Sequence, residues 1–211
     1  MAMPRGELAV ARFEFRLLGP LEILRDGEPL RVSGQRQRAL LGLLLLRANE
    51  FVSTERIVEE LAGSGLSGAG LNALQATVSR LRRLLDRGAP NGASVLVTER
   101  GGYVLRADVE GIDARRFERL ASEGRRALDA GDAPAASVKL AEALHLWRGP
   151  ALADLAVLDF AQAEIRRLDE MRRSVIADRV EADLALGKGA ELVGELEVLV
   201  RADPLQERLR A

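Results

Sequence analysis

Residues 71–85 read LNALQATVSRLRRLL, and the face that this stretch turns outward decides how the chain is understood. At about 100° per residue in a helix, Leu74, Val78, Leu81 and Leu85 share one narrow sector and form a core stripe. The opposite sector carries Asn72, Ala76, Ser79 and Arg83, flanked by Arg80, with Gln75 and Arg82 on one shoulder. Small side chains in the middle of an exposed face let another surface come close. Amides and guanidinium groups around them are the types that read base edges and grip phosphates. Four arginines and one acid, Asp86, lie between Leu71 and Gly88. The helix dipole also favours cations near a C-terminus, so Arg80, Arg82, Arg83 and Arg87 have a second reading as an ordinary solvated face.

The surroundings favour the first reading. Helical patterns over Gln35–Ala48 and Glu55–Ala62 precede the stretch, the second opened by Ser53 or Thr54 as a cap. After the turn-rich Gly88–Gly92 come two short strands, Val95–Thr98 and Tyr103–Leu105, joined by Glu99-Arg-Gly-Gly102. Upstream, Phe13, Phe15 and Leu17 alternate with Glu14 and Arg16 as a strand requires. Leu21–Leu24 and Pro29–Val32 flank Asp26-Gly27, a two-residue hairpin signal of type I′. Sheet, three helices and a hairpin bearing Arg100 make an α+β winged helix-turn-helix. In that layout the basic helix enters the major groove and the hairpin tip reaches adjacent backbone or minor groove. Asn72, Ser79, Arg80 and Arg83 are then expected to face the groove, with Gln75 beside them. Arg82, Thr98 and Arg100 are expected to hold phosphates or the neighbouring groove, and Gln35 and Arg36 to add a backbone contact at the first helix's start.

From Asp113 onward the pattern is helical throughout. Asp113 reads as a cap for Ala114–Ala130, Gly131-Asp132 breaks that helix, and Pro134 restarts the next. A long segment follows from about Asp159 to Leu186. The phrases ALDAGDAPAASVKLAEAL and DLALGKGAELVGELEVL share a helix end, a glycine turn and an Ala/Leu-rich helix, which suggests a TPR-like stack of paired helices. The expected division is an N-terminal tail at 1–10, a winged helix at 11–108 and an all-α helical repeat domain at 109–211. The last is expected to be cut short, since Asp203-Pro204 opens a helix that Ala211 ends after about two turns.

Composition narrows the chemistry. The 211 residues are 47% hydrophobic and 30% charged, in the range of a globular chain with a core. The formal net charge of −1 conceals an asymmetry: residues 11–108 hold 14 arginines against 11 acids, while 109–211 are net acidic. Cysteine is absent and His145 is the single histidine, which removes disulfides, thiolate chemistry, histidine-rich metal cages and a Ser-His-Asp triad within this chain. No cofactor, metal or catalytic residue is expected. The longest apolar run, Ala39–Leu46, falls far short of the roughly 20 residues that span a bilayer, so no membrane partner and a cytoplasmic location are expected. Gly63–Gly68 spells G-x-G-x-x-G but follows a helix rather than a strand, so it reads as a flexible turn and not a dinucleotide fingerprint. His145 and Trp147 read as packing at a helix end. Asp169, Glu170, Asp178, Glu181 and Asp183 alternate with arginines and read as i,i+3 and i,i+4 ion pairs on a solvated face.

The blocks QRQRALLGLLLLRANEFVSTERIVEELAG, LNALQATVSRLRRLL and VLVTERGGYVL resemble the OmpR-type winged helix of the Streptomyces antibiotic regulatory protein family. The later IDARRFERLASEGRRALDAGD, ALHLWRGPALADL and RLDEMRRSVIADRVEADLALGKGAELVGELEVLVRADPLQERLR resemble its bacterial transcriptional activation domain. The resemblance implies a transcription regulator, typically an activator, that binds direct repeats in double-stranded DNA as side-by-side protomers or a homodimer and contacts RNA polymerase holoenzyme. One segment departs from the family pattern. Relatives carry a Trp-Gly pair followed by acidic and proline residues, where this chain has Leu61-Ala62-Gly63-Ser64-Gly65-Leu66-Ser67-Gly68. The rival expectation is a protein-interaction scaffold, with a TPR-like domain that binds a partner and a winged helix that only docks.

Overall fold

The computed structural model describes residues 12–62, 70–87, 94–192 and 194. The expected tail, the Gly63–Gly68 run, the Gly88–Gly92 turn and the helix at Asp203-Pro204 lie outside them. Three strands, β1 (Phe13–Arg16), β2 (Glu22–Arg25) and β3 (Glu28–Leu30), form an antiparallel sheet in that order. Arg25 pairs with Glu28 across Asp26-Gly27, and both loop residues take positive φ, 52° and 85°, as a type I′ turn demands. Behind this sheet, α1 (Gln35–Leu46) buries seven consecutive residues, Ala39 to Leu45. A helix apolar all round must be covered all round, and α1 is the central element of the N-terminal half.

β4 (Val52–Ser53) leads into α2 (Thr54–Ala62), where the Ser53 hydroxyl accepts the Arg56 N–H at 3.2 Å and so provides the cap. Helix α3 (Leu71–Leu85) follows, and the hairpin β5 (Leu96–Glu99) and β6 (Gly102–Leu105) completes a second sheet of order β4-β6-β5. The two residues of β4 are absent from the sequence reading, because so short a strand leaves no alternation to detect. This is the winged helix-turn-helix.

A 3₁₀ turn at Val109–Gly111 leads to α4 (Asp113–Asp129), α5 (Ala133–His145) and α6 (Asp159–Ala185). The two phrases that look alike in sequence end their helices alike. After α4 the Gly131 N–H reaches Leu128 O and Asp132 N–H reaches Ala127 O; after α6, Gly187 reaches Leu184 O and Lys188 reaches Asp183 O. Both are Schellman ends, with the glycine at φ 76° or 78°. Asp132 then caps α5 by accepting the Ala135 N–H at 3.0 Å.

Asp113 does not cap α4. Ile112 occupies the cap position, and the Asp113 carboxylate instead accepts the N–H groups of Leu17 (2.6 Å) and Leu18 (3.1 Å). Burial drives this carboxyl above the ordinary aspartate range, against the opposing pull of those two N–H groups and of Arg148. The segment between α5 and α6 packs on the winged helix in the same region. Arg148 N–H donates to Leu18 O and Leu152 N–H to Leu17 O, each at 2.8 Å. The Leu21 N–H donates to Asp154 at 2.8 Å, and the Arg38 guanidinium binds both Asp154 and the Leu21 carbonyl. Leu152, Leu155 and Leu158 are fully buried, and one apolar core runs from Phe15 to Ala182 across both halves.

Trp147 packs edge-on to Phe117, with centroids 5.3 Å apart, and lies under the Arg172 guanidinium at 4.5 Å. His145 is exposed at the last position of α5. The α6 acids differ from the solvated row read in the sequence, because Asp178 and Asp183 are buried. Asp178 pairs across to Arg125 of α4 at 2.6 Å, and Asp183 accepts from Ser137 (2.6 Å), Arg179 (2.9 Å) and Lys188 (2.9 Å). The i,i+4 pair Arg179–Asp183 is real, but it joins helices rather than facing water.

Candidate nucleic-acid interface

Leu74, Val78, Leu81 and Leu85 are buried, as the stripe requires, and Thr77 joins them by donating its hydroxyl to Ala73 O at 2.8 Å. Anchored on that side, α3 leaves Asn72, Gln75, Ala76, Ser79, Arg80 and Arg83 exposed on the other. Arg83 reaches the Ser79 hydroxyl at 3.3 Å within this face. The wing turns at Arg100-Gly101, with Glu99 opposite Gly102, and Thr98 and Arg100 are exposed on it. Its tip is tied to the start of α2, since Thr54 N–H donates to Gly101 O at 2.9 Å.

Helix and wing are joined by side chains. Arg82, half-buried, donates from Nε to Leu96 O at 2.7 Å and from Nη2 to Thr98 Oγ1 at 2.6 Å. One turn on, Asp86 accepts the Ser94 hydroxyl at 2.8 Å and the Val95 N–H at 3.3 Å. Between helix and wing lies an open groove of about 550 Å³, lined by Gln75, Val78, Ser79, Arg82, Arg83, Asp86, Arg87, Thr98 and Tyr103. Five of the expected contact residues, Gln75, Ser79, Arg82, Arg83 and Thr98, therefore meet in one groove. Asn72, Arg80 and Arg100 are exposed but do not line it, and Gln35 and Arg36 are exposed at the start of α1.

Arg87 lines the groove and was not among the expected contacts; its place four residues after Arg83 was the available signal. Among the described residues, no carboxylate lies within salt-bridge distance of Arg80, Arg82, Arg83, Arg87 or Arg100, and Glu99 pairs with Arg106 instead at 3.7 Å. In the helical half Arg119 and Arg125 are each paired, Arg119 with Glu110 and Glu123, Arg125 with Asp129 and Asp178. The groove is thus a concentration of uncompensated positive charge in a chain of net charge −1. Among the described residues no three metal-ligating side chains gather, and no helix is long and apolar enough to cross a membrane.

Comparison with known proteins places this architecture. Residues 27–105 match the family described as transcriptional regulatory protein, C terminal, and residues 112–211 match the bacterial transcriptional activator domain. The chain is 36% identical over 203 residues to the regulatory protein DnrI of Streptomyces peucetius, covering 94% of this chain and 75% of DnrI. The chain belongs to the Streptomyces antibiotic regulatory protein family. Another member, the regulatory protein AfsR of Streptomyces coelicolor, is 39% identical over 208 residues, which is 98% of this chain but only 20% of AfsR. A solved structure of Mycobacterium tuberculosis EmbR in complex with a low affinity phosphopeptide superposes with a TM-score of 0.88 at 31% identity. It covers 94% of this chain and 52% of EmbR. The antibiotic regulatory family thus shares with EmbR a winged helix followed by helical pairs.

Proposed function

We propose that this chain is a sequence-specific, DNA-binding transcriptional regulator of the activator type. The observation that carries the reading is the groove between α3 and the wing, where arginines without carboxylate partners surround a face of small and amide side chains. α3 lies in the major groove with Asn72, Gln75, Ser79, Arg80 and Arg83 toward base edges. Arg87 grips backbone at its C-terminal end, and Arg100 carries the wing tip to the adjacent phosphates or minor groove. Gln35 and Arg36 add a backbone contact from α1. Family membership supports two further parts of the reading: protomers side by side on repeated sites, and contact with RNA polymerase holoenzyme. No residue is assigned a catalytic role.

The test is binding to a duplex selected from a random pool, followed across salt concentrations. Neutralising several phosphates makes affinity fall steeply with salt. Arg83→Ala is expected to weaken the selected site by about 1–3 kcal/mol and relax its preference at one position. Binding that is absent or insensitive to salt would favour a protein-interaction scaffold instead.

A further inference from the structure

The sequence pattern groups Arg82 and Thr98 with the phosphate contacts. Their hydrogen bonds give them another task. Arg82 is half-buried, and two of its donors are spent on successive sites of one strand, the Leu96 carbonyl at 2.7 Å and the Thr98 hydroxyl at 2.6 Å. Asp86, one helical turn away on α3, holds the beginning of the same strand through Ser94 and Val95. The pair spans residues 94 to 98, so four points of β5 are fixed to one edge of α3. Arg100 stands two residues beyond the last of these points, at the tip of the turn.

We propose that Arg82 and Asp86 form a clasp that sets the angle between α3 and the wing, and that Arg82 is a positioning residue acting through Arg100. The inference rests on the DNA-binding reading above. Its physical logic is preorganisation. A two-stranded wing joined to the body only at its base would sample many angles, and ordering it on DNA would cost affinity. A planar guanidinium with two donors at fixed geometry holds that angle, whereas a lysine ammonium cannot span both acceptors in the same way. Thr98 is the complementary half: its hydroxyl oxygen accepts from Arg82 and is not free to turn to a phosphate without releasing it.

The two roles separate experimentally. A phosphate contact tolerates lysine, while a two-point clasp does not. We expect Arg82→Lys to weaken binding to the selected duplex about tenfold, and Thr98→Val to do so by a similar factor. Thr98→Ser, which keeps the hydroxyl, should bind as the parent does. In an Arg100→Ala background, Arg82→Lys and Thr98→Val should cost nothing further, because the wing contact they position is already gone. The salt slope of the Arg82→Lys, Arg100→Ala double variant should equal that of Arg100→Ala alone. Retained affinity in Arg82→Lys, or full additivity with Arg100→Ala, would overturn the clasp. Thermal melting of each variant accompanies the titrations, and Thr98→Val, an exposed isosteric change on the strand, answers the question even where Arg82→Lys folds poorly. If the parent chain shows no salt-dependent duplex binding, the DNA reading itself fails. If it binds and Arg83→Ala weakens it while the cycle is additive, only the clasp fails.

Discussion

Gly42 sits in the middle of α1 where a side chain would overlap Leu155 Cδ1, a residue that is itself fully buried. Glycine inside a helix costs about 1 kcal/mol relative to alanine, so its presence here reflects space and not propensity. Gly42→Ala is therefore expected to destabilise the chain by about 1–3 kcal/mol through overpacking, despite the better helix former. Adding Leu155→Ala should recover part of that loss, whereas Leu155→Ala alone opens a cavity; urea denaturation of the single and double variants measures the coupling. A stabilised Gly42→Ala would show that Leu155 yields freely. This contact marks the limit of what single residues reveal in the sequence. The exposed face of α3 is legible, since each residue's place follows from helical period, and the buried stripe at Leu74, Val78, Leu81 and Leu85 agrees with it. Asp113 is not legible. It has the type and place of a helix cap, but its N–H partners at Leu17 and Leu18 lie almost a hundred residues upstream, and long-range contacts leave no period. The turn of Arg82 toward Leu96 and Thr98 is hidden for the same reason.

At the scale of elements, α5 and α6 are joined by a buried carboxylate. Burial by itself would raise the Asp183 value, but the Ser137 hydroxyl, Lys188 and Arg179 outweigh it and hold Asp183 below the usual aspartate range. A carboxyl depressed in the folded state stabilises at pH above its unfolded value, about 3.9, and that contribution is lost as pH falls through the lower folded value. Asp183→Asn is thus expected to cost about 1–3 kcal/mol at neutral pH, as donors lose a charged acceptor. The gap from the parent should narrow as pH is taken below about 4. Chemical denaturation at neutral and acid pH checks this, and a gap independent of pH would remove Asp183 from the helix junction. The sequence carried half of this junction. Gly131 and Gly187 announce the helix ends through their left-handed conformation, and the matched phrases around them point to repeated pairs. The inward turn of Asp178 and Asp183 is hidden, because charge alternation with arginine looks the same whether a face meets water or another helix.

At the scale of the whole molecule, the winged helix and the helical pairs are built into each other. Leu152, Leu155 and Leu158 come from the segment after α5, yet Leu155 packs on α1, and Asp154 holds Arg38 and the Leu21 N–H. The Leu17 and Leu18 N–H groups have Asp113 as acceptor, and their carbonyls accept from Leu152 and Arg148. A fragment ending at Asp108 would keep every element from β1 to β6 but strip all of these partners away. Each buried N–H left without an acceptor costs about 1–3 kcal/mol, and each core leucine removed about 2–5 kcal/mol. Marginal stability of about 5–15 kcal/mol does not survive several such losses. We therefore expect the fragment 12–108 to be largely unfolded at 25 °C, and the full chain to unfold in one transition seen alike by far-ultraviolet circular dichroism and Trp147 fluorescence. Trp147 reports from the helical half, so coincidence of the two signals tests the joint directly. Two separate transitions, or a fragment as stable as the same residues within the chain, would mean that the shared core is not what holds the winged helix together. A single transition carries a consequence for regulation: a force or ligand on the helical pairs reaches α3 through α1 without any flexible joint between them.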